Sequence, residues 1–328
     1  MSSQKVKKLS GAKKTNNHSM RERLRTWLLE HPELNPYRFS VGLTLDPNWF
    51  KNPNKFSIGR AFQMVTSSIR TLPNFIIIGS SKSGTWATHN YLLQHPDIGY
   101  SARNIHFFEY AYSNKISWYK SHFPTIFSKM YRRRKSKNSF VTGEFTSTYM
   151  YHENVPERIF NLIPKIKLIV ILRNPIDKAY STYNQQLHFN EFTSSFEETI
   201  KAEFRRINLI KNHAEHQNHN PDFGNYVVSN IIRHGIYFNY LEKWFQIFSK
   251  EQIFVVDSNE LENFTQQTLN KVFEFLDLPH HEIPNLSKIN VGKYSPMSES
   301  TRKLLVEFYG PYNAKLNSLL KTNYDWNK

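Results

Sequence analysis

PNFIIIGSSKSGTWATHNYLL, Pro73 to Leu93, decides the fold of this 328-residue chain. An apolar run, Phe75 to Ile78, ends at Gly79. A cluster of small residues around one lysine follows, and then apolar residues at helical spacing. A strand that becomes a helix through Gly79-Ser-Ser-Lys-Ser-Gly-Thr85 is built to hold an anion. Small residues let backbone N–H groups approach phosphate oxygens, and the helix N-terminus adds a partial positive charge. Lys82 supplies a full charge, and the Ser83 and Thr85 hydroxyls supply further donors. The turn is close to a P-loop, but GxxxxGK[ST] places lysine after its second glycine. Here Lys82 precedes Gly84 by two positions.

Outward from this stretch the strand–loop–helix rhythm repeats. Phe140–Gly143 reads as a strand, and Val155–Leu162 as a helix with Pro156 in its first turn. Lys167–Leu172 (KLIVIL) is a fully apolar strand, followed by a helix over Pro175–Gln186. Tyr237–Phe248 reads as an amphipathic helix, Gln252–Val256 as a strand, and Leu261 to Leu276 as further helix. Continuous apolar strands alternating with helices predict an α/β fold, a central parallel sheet with helices on both faces. Ligands of such sheets bind beyond the carboxyl ends of the strands. A second cradle lies at such an end. Arg173 closes the KLIVIL strand, where a guanidinium fork can grip a phosphate, and Ser181 follows eight positions later. Two phosphate cradles on one sheet suit a nucleotide phosphorylated at two ends of its ribose.

Composition bounds the rest. The formal net charge is +16, so the partner is expected to be anionic. No cysteine is present, which excludes disulfides and thiolate metal sites. Residues 1–20 read as a basic disordered tail, 21–72 as an N-terminal extension and 73–328 as one domain. Met20–Leu29 looks helical there, and Pro47–Asn54 loop-like. The N-terminus has no apolar h-region, and no segment has the length of a membrane span. A soluble cytoplasmic protein without a membrane or nucleic-acid partner is expected. Tyr131 to Lys137 reads as an exposed basic loop. His213, His216 and His219 sit in a polar stretch read as loop rather than as a metal clamp.

The two cradles resemble the 5′- and 3′-phosphate elements of sulfotransferases that use 3′-phosphoadenosine 5′-phosphosulfate (PAPS), in particular the heparan sulfate branch and its bacterial relatives. The resemblance covers about residues 73–326. It includes Ile105-His-Phe-Phe108, Trp118-Tyr119, Val155-Pro-Glu-Arg-Ile159, Gln252-Ile-Phe-Val-Val-Asp257 and Asn323-Tyr-Asp-Trp326. It implies a P-loop-like sulfotransferase fold with PAPS as donor and no required metal. Lys82, Ser83, Gly84, Thr85 and Trp86 would hold the 5′-phosphosulfate, and Arg173 and Ser181 the 3′-phosphate. Gly292 and Lys293 would belong to a late loop over the nucleotide. Lys82 would neutralise the leaving phosphate oxygen, where charge grows during transfer.

The acceptor side departs from that pattern. The heparan sulfate branch carries a glutamate where this chain has Asn104, and a lysine where it has Phe145. An amide cannot take a proton at neutral pH. His106, Glu144 and Glu109 are the candidate replacements, His106 and Glu144 ahead of Glu109, and an acceptor nitrogen would need little help. A hydroxyl or amine of a glycan or small molecule is the expected acceptor. The competing function is a P-loop kinase or phosphotransferase, with Asp257 at a strand end as the magnesium ligand.

Overall fold

Two strands lie in the middle of the sheet, β1 (Phe75–Gly79), buried along its whole length, and β4 (Lys167–Leu172), buried after Lys167. Around them β2 (Ala102–Arg103), β3 (Gly143–Phe145) and β5 (Ile253–Asp257) complete a parallel five-stranded sheet in the order β2-β3-β1-β4-β5. The computed structural model describes residues 58–99, 101–136, 139–189, 194–216, 230–287, 292 and 294–326.

Side-chain alternation along the two central strands explains why both faces must be covered. Ile76, Ile78, Leu168, Val170 and Leu172 point into one core, with Val155 and Ile159 of the helix Val155–Leu162 and Leu241 and Trp244 of the helix Tyr237–Ile247. Phe75, Ile77, Ile169 and Ile171 point into the other. Tyr91 and Leu92 of the helix Thr85–Leu92 meet them there, with Leu269, Val272 and Phe273 of the helix Thr265–Phe275. A third cluster joins Ile176, Ala179 and Tyr183 of the helix Pro175–His188 to Leu305 and Tyr309 of the helix Glu299–Leu320.

The order of the strands places the ligand-binding edge. From β1 the chain visits β2 and β3 on one side, then crosses to β4 and β5 on the other. The crevice at such a switch opens at the carboxyl ends of β1 and β4. The Gly79–Thr85 turn leaves the first strand and Arg173 the second.

The structure differs from the sequence reading in several elements. The strand expected over Phe140–Gly143 lies at Gly143–Phe145; Val141 makes only an isolated bridge with Ile98. β2 has two residues, too few for a periodic signal. Within the expected basic loop at Tyr131 to Lys137, Tyr131 to Ser136 is instead the end of a helix, Ile126–Ser136, because arginine and lysine are good helix formers and no glycine or proline interrupts them, and Lys137 lies outside the described residues. Leu261 to Leu276 divides at Phe264 into Ser258–Asn263 and Thr265–Phe275. Glu299–Leu320 carries Pro311 inside it, the residue that hides this helix in the sequence. His213 and His216 fall in a helix, Phe196–His216, and not in a polar loop. His219, Lys293, Met20–Leu29 and Pro47–Asn54 lie outside the described residues.

Candidate active site

The turn after β1 is held by close contacts beneath it. A Cβ on Gly79 would stand 2.8 Å from the Met150 Cβ, so only glycine lets the strand pass the turn Tyr149–Tyr151. Lys82 adopts φ 65° and Gly84 φ 90°, which brings the chain into the helix Thr85–Leu92 from a left-handed residue. No side chain caps that helix. Its first N–H groups therefore have no carbonyl partner inside the helix and face the turn. Ser80 Oγ is hydrogen bonded to the Tyr151 hydroxyl at 2.7 Å. The buried Ser81 and Ser83 hydroxyls make no hydrogen bond of normal length; Ser81 faces the Tyr151 hydroxyl and Ser83 that of Tyr237.

Arg173 reaches this turn directly. Its Nη1 donates to the Lys82 carbonyl at 3.2 Å, and its own carbonyl accepts from the Tyr237 hydroxyl at 2.9 Å. The two cradles are thus one continuous surface. Burial lowers the Lys82 pKa, and the Arg173 charge lowers it further. Both cations lack a carboxylate partner among the described salt bridges, so an anionic ligand would relieve their repulsion. Ser181 is buried on the helix Pro175–His188, one turn beyond Lys178. Asn174 caps that helix by accepting from Ile176 N at 3.0 Å, which fixes the exit from β4. Over the same helix, the Tyr180 hydroxyl donates to the Ser295 carbonyl at 2.8 Å and its ring meets Tyr294 edge-on. Tyr294 and Ser295 are therefore tied to the helix at Tyr180. Trp86 is half-buried against Phe145, with the Arg103 guanidinium 4.5 Å above its ring.

The sequence reading misses Lys178. It is fully buried, and its Nζ has no hydrogen-bond partner. The ammonium lies 5.6 Å over the Tyr151 ring, on whose other contacts His234 stacks at 4.0 Å. Burial lowers its pKa to about 7, with Glu203 opposing and Lys82 adding to the shift. The signal was available. Lys178 shares a helical face with Pro175, Ala179 and Thr182, all buried, where a lysine is out of place unless it has a task.

At the ends of β2 and β3 the chemistry changes. Asn104 and His106 both have positive φ, 49° and 54°, a conformation that collects at functional sites. His106 Nδ1 is hydrogen bonded to Glu109 Oε1. Glu109 also accepts from Thr148 Oγ1 at 2.7 Å and pairs with His152 Nε2 at 3.0 Å. Burial works to raise the Glu109 pKa, but His106 and His152 hold it down at about 2. Glu144 differs. It is completely buried on β3, accepting from the Tyr119 hydroxyl at 2.5 Å, the Tyr149 hydroxyl at 2.6 Å and Thr146 Oγ1 at 3.0 Å. Burial pushes it up to about 7 against those hydrogen bonds. Asp257 caps the helix Ser258–Asn263, accepting from Asn259 N at 2.9 Å. Among the described residues no group of three or more His, Asp or Glu side chains is placed to hold a metal ion.

Comparison with known proteins places the chain among relatives of one family. A Dictyostelium discoideum protein named membrane-associated sulfotransferase kil1 is 26% identical, over 80% of this chain and 68% of its own. Human heparan sulfate glucosamine 3-O-sulfotransferase 5 is 31% identical over 68% of this chain and 57% of its own length. Human bifunctional heparan sulfate N-deacetylase/N-sulfotransferase 3 is 27% identical over 84% of this chain, which spans only 33% of that protein. The crystal structure of a sulfotransferase from Alicyclobacillus acidocaldarius superposes with a TM-score of 0.59 at 22% identity, over 79% of this chain and all of that one, and so shares the fold. The family model for the sulfotransferase domain matches residues 72–307, most of the chain, and the chain belongs to the sulfotransferase family.

Proposed function

We propose that residues 73–328 form the catalytic domain and transfer a sulfuryl group from PAPS to a hydroxyl or amine of a glycan or small molecule. The observation that carries this reading is the single surface made by the Gly79–Thr85 turn and Arg173, joined at 3.2 Å. Such a surface suits one ligand with phosphates at both ends of a ribose. The fit is supported by the uncapped helix at Thr85 and by the buried Ser81 and Ser83 hydroxyls without normal hydrogen bonds. In this reading Lys82, Ser83, Gly84, Thr85 and Trp86 surround the 5′-phosphosulfate, Arg173 and Ser181 take the 3′-phosphate, and Gly292 and Lys293 cover the nucleotide.

The donor supplies an activated sulfuryl group whose S–O bond to phosphate breaks as the acceptor atom bonds to sulfur. Lys82 meets the charge that grows on the departing phosphate oxygen. His106 takes the acceptor's proton through Nε2, because Glu109 fixes the ring at Nδ1 and stabilises the imidazolium that forms. Glu144, surrounded by three hydroxyls, supports Tyr119 and Tyr149 beneath this group and is left out of the proton transfer. The products are adenosine 3′,5′-bisphosphate and a sulfate ester or sulfamate. The names of the heparan sulfate relatives support a glycan acceptor; Asn104 and Phe145 argue for one recognised differently from theirs.

A kinase reading is not favoured. It needs Asp257 for magnesium, and that carboxylate caps a helix. Thermal melts separate the two. Adenosine 3′,5′-bisphosphate without magnesium should stabilise the protein, by about 2.7 kcal/mol at a hundred times its Kd. Stabilisation by magnesium-ATP alone would overturn the proposal.

A further inference from the structure

The reaction proposed above gives no task to His152, which follows the turn Tyr149–Tyr151. Its backbone is fixed on both sides. Its N–H donates to the Tyr149 carbonyl at 3.3 Å, and its carbonyl accepts from Val155 N at 3.3 Å. The turn before it is anchored too. The Tyr151 hydroxyl is hydrogen bonded to Ser80 Oγ at 2.7 Å, and the Trp244 indole donates to the Met150 carbonyl at 3.2 Å. From this support the His152 ring brings its Nε2 to 3.0 Å from Glu109 Oε2.

The Glu109 side chain is wholly buried, so each of its oxygens needs a donor. Oε1 has two, Thr148 Oγ1 at 2.7 Å and His106 Nδ1. At Oε2 the contact is His152, and no other donor reaches that oxygen among the described residues. A bare imidazole lone pair would repel a carboxylate at this distance, so Nε2 carries the proton. The Tyr110 hydroxyl, 3.1 Å from the same nitrogen, and the Tyr110 ring, edge-on at 5.1 Å, keep the imidazole in this orientation. With Oε2 unheld, the carboxylate could turn about its last carbon–carbon bond and carry Oε1 away from His106. Held at both ends, it keeps His106 in one tautomer. Against the burial that raises the Glu109 pKa, His106 does more than His152 to keep the carboxylate ionised. What the second imidazole adds is direction more than charge.

We propose that His152 is a positioning residue for the base: by holding Glu109 Oε2 it fixes Oε1 on His106 Nδ1, so that His106 Nε2 stays free of a proton and aimed at the acceptor. This rests on the reading above, in which His106 takes the acceptor's proton. His152 itself touches no substrate in this role and carries no proton.

Magnetic resonance of the full chain, with its histidine nitrogens isotope-labelled, tests the arrangement without donor or acceptor, so its failure is distinct from a failure of sulfuryl transfer. A ring N–H bonded to a carboxylate is expected far downfield, and its absence from His106→Ala assigns it to His106. His152→Ala should shift or broaden that signal. His152→Gln should restore it, because the glutamine amide nitrogen falls close to the place of Nε2. The rate should follow the same order. With PAPS as donor and water as acceptor, the bond from sulfur to the phosphate oxygen breaks as water bonds to sulfur, His106 takes the water's proton, and the products are adenosine 3′,5′-bisphosphate and sulfate. His152→Ala should lower kcat for this reaction roughly tenfold with the KM for PAPS unchanged, and His152→Gln should recover most of the loss. An unmoved His106 signal in His152→Ala would overturn the proposal. So would a lower melting temperature with kcat unchanged, which would make His152 structural. Equal losses of kcat with Ala and with Gln would also overturn it, since a proton carrier and not a positioning group would then be missing.

Discussion

The two halves of the sheet's carboxyl edge are built on opposite electrostatic plans. The β1–β4 half gathers cations, with Lys82, Arg173 and Lys178 near one turn and, among the described residues, no carboxylate paired with the first two. The β2–β3 half buries carboxylates, with Glu109 clamped by His106 and His152 and Glu144 ringed by hydroxyls. Cations held against their mutual repulsion imply an anion that belongs there. A histidine backed by an ionised carboxylate implies a proton to be taken. In the proposed reaction the first half would be the donor side and the second the acceptor side.

Breaking the donor side should have the largest effect. Lys82→Ala is expected to lower the rate of sulfuryl transfer by about a thousandfold, measured as kcat with a saturating acceptor, while the protein still folds. A rate near the wild type would remove Lys82 from the chemistry. On the acceptor side, His106→Ala should lower kcat about a hundredfold with little change in the nucleotide's effect on melting. A weakened nucleotide response instead would place His106 among the donor contacts.

Lys178 sharpens the boundary between the halves. Its folded pKa, about 7, lies well below the ordinary lysine value of 10.5, so its charged form is disfavoured in the folded protein. That penalty is complete below about pH 7 and fades as pH rises toward 10.5. Lys178→Met should therefore raise the melting temperature of the ligand-free protein at neutral pH, and the gain should shrink in alkali. The stabilisation by adenosine 3′,5′-bisphosphate should fall roughly tenfold in apparent affinity. An undiminished nucleotide response would make this lysine purely structural.

The two glutamates give the smallest signal, visible in melting temperature against pH. Glu109 has a folded pKa of about 2 against 4.5, so its contribution is present above pH 4.5 and lost as pH falls toward 2. Glu144 has a folded pKa of about 7 against 4.5, so stability declines as pH rises between those values. Glu144→Gln should abolish the decline near neutrality, and Glu109→Gln the loss in acid. Interchanged results would reverse the assignment of the two environments.

Much of the donor side is legible in the chain itself. FIIIG and KLIVIL are short, apolar and closed by turn residues, so both central strands and the residues that leave them can be read from local pattern. Gly79, Lys82 and Arg173 follow from that position alone. The acceptor side is not legible in the same way. β2 is two residues long, and Glu109 and Glu144 differ only in which side chains from distant segments reach them. His152 and Thr148 come from beyond β3, and Tyr119 from a short helix before it. The helix Ile126–Ser136 also escapes the sequence, since a run of arginine and lysine reads as exposed loop as readily as it forms a solvated helix.

By itself the sequence determined a covered parallel sheet and the two turns at its centre that carry Lys82 and Arg173, because hydrophobic run length, glycine and helix starts are local properties of a chain. Only the tertiary structure decided that the two turns share one surface, that Glu109 backs His106 while Glu144 is enclosed, and that Lys178 lies unpaired beneath Tyr151. Those outcomes depend on burial and on charges brought together across long stretches of chain. A carboxylate or an ammonium takes its pKa, and with it its chemistry, from such surroundings and not from its sequence neighbours.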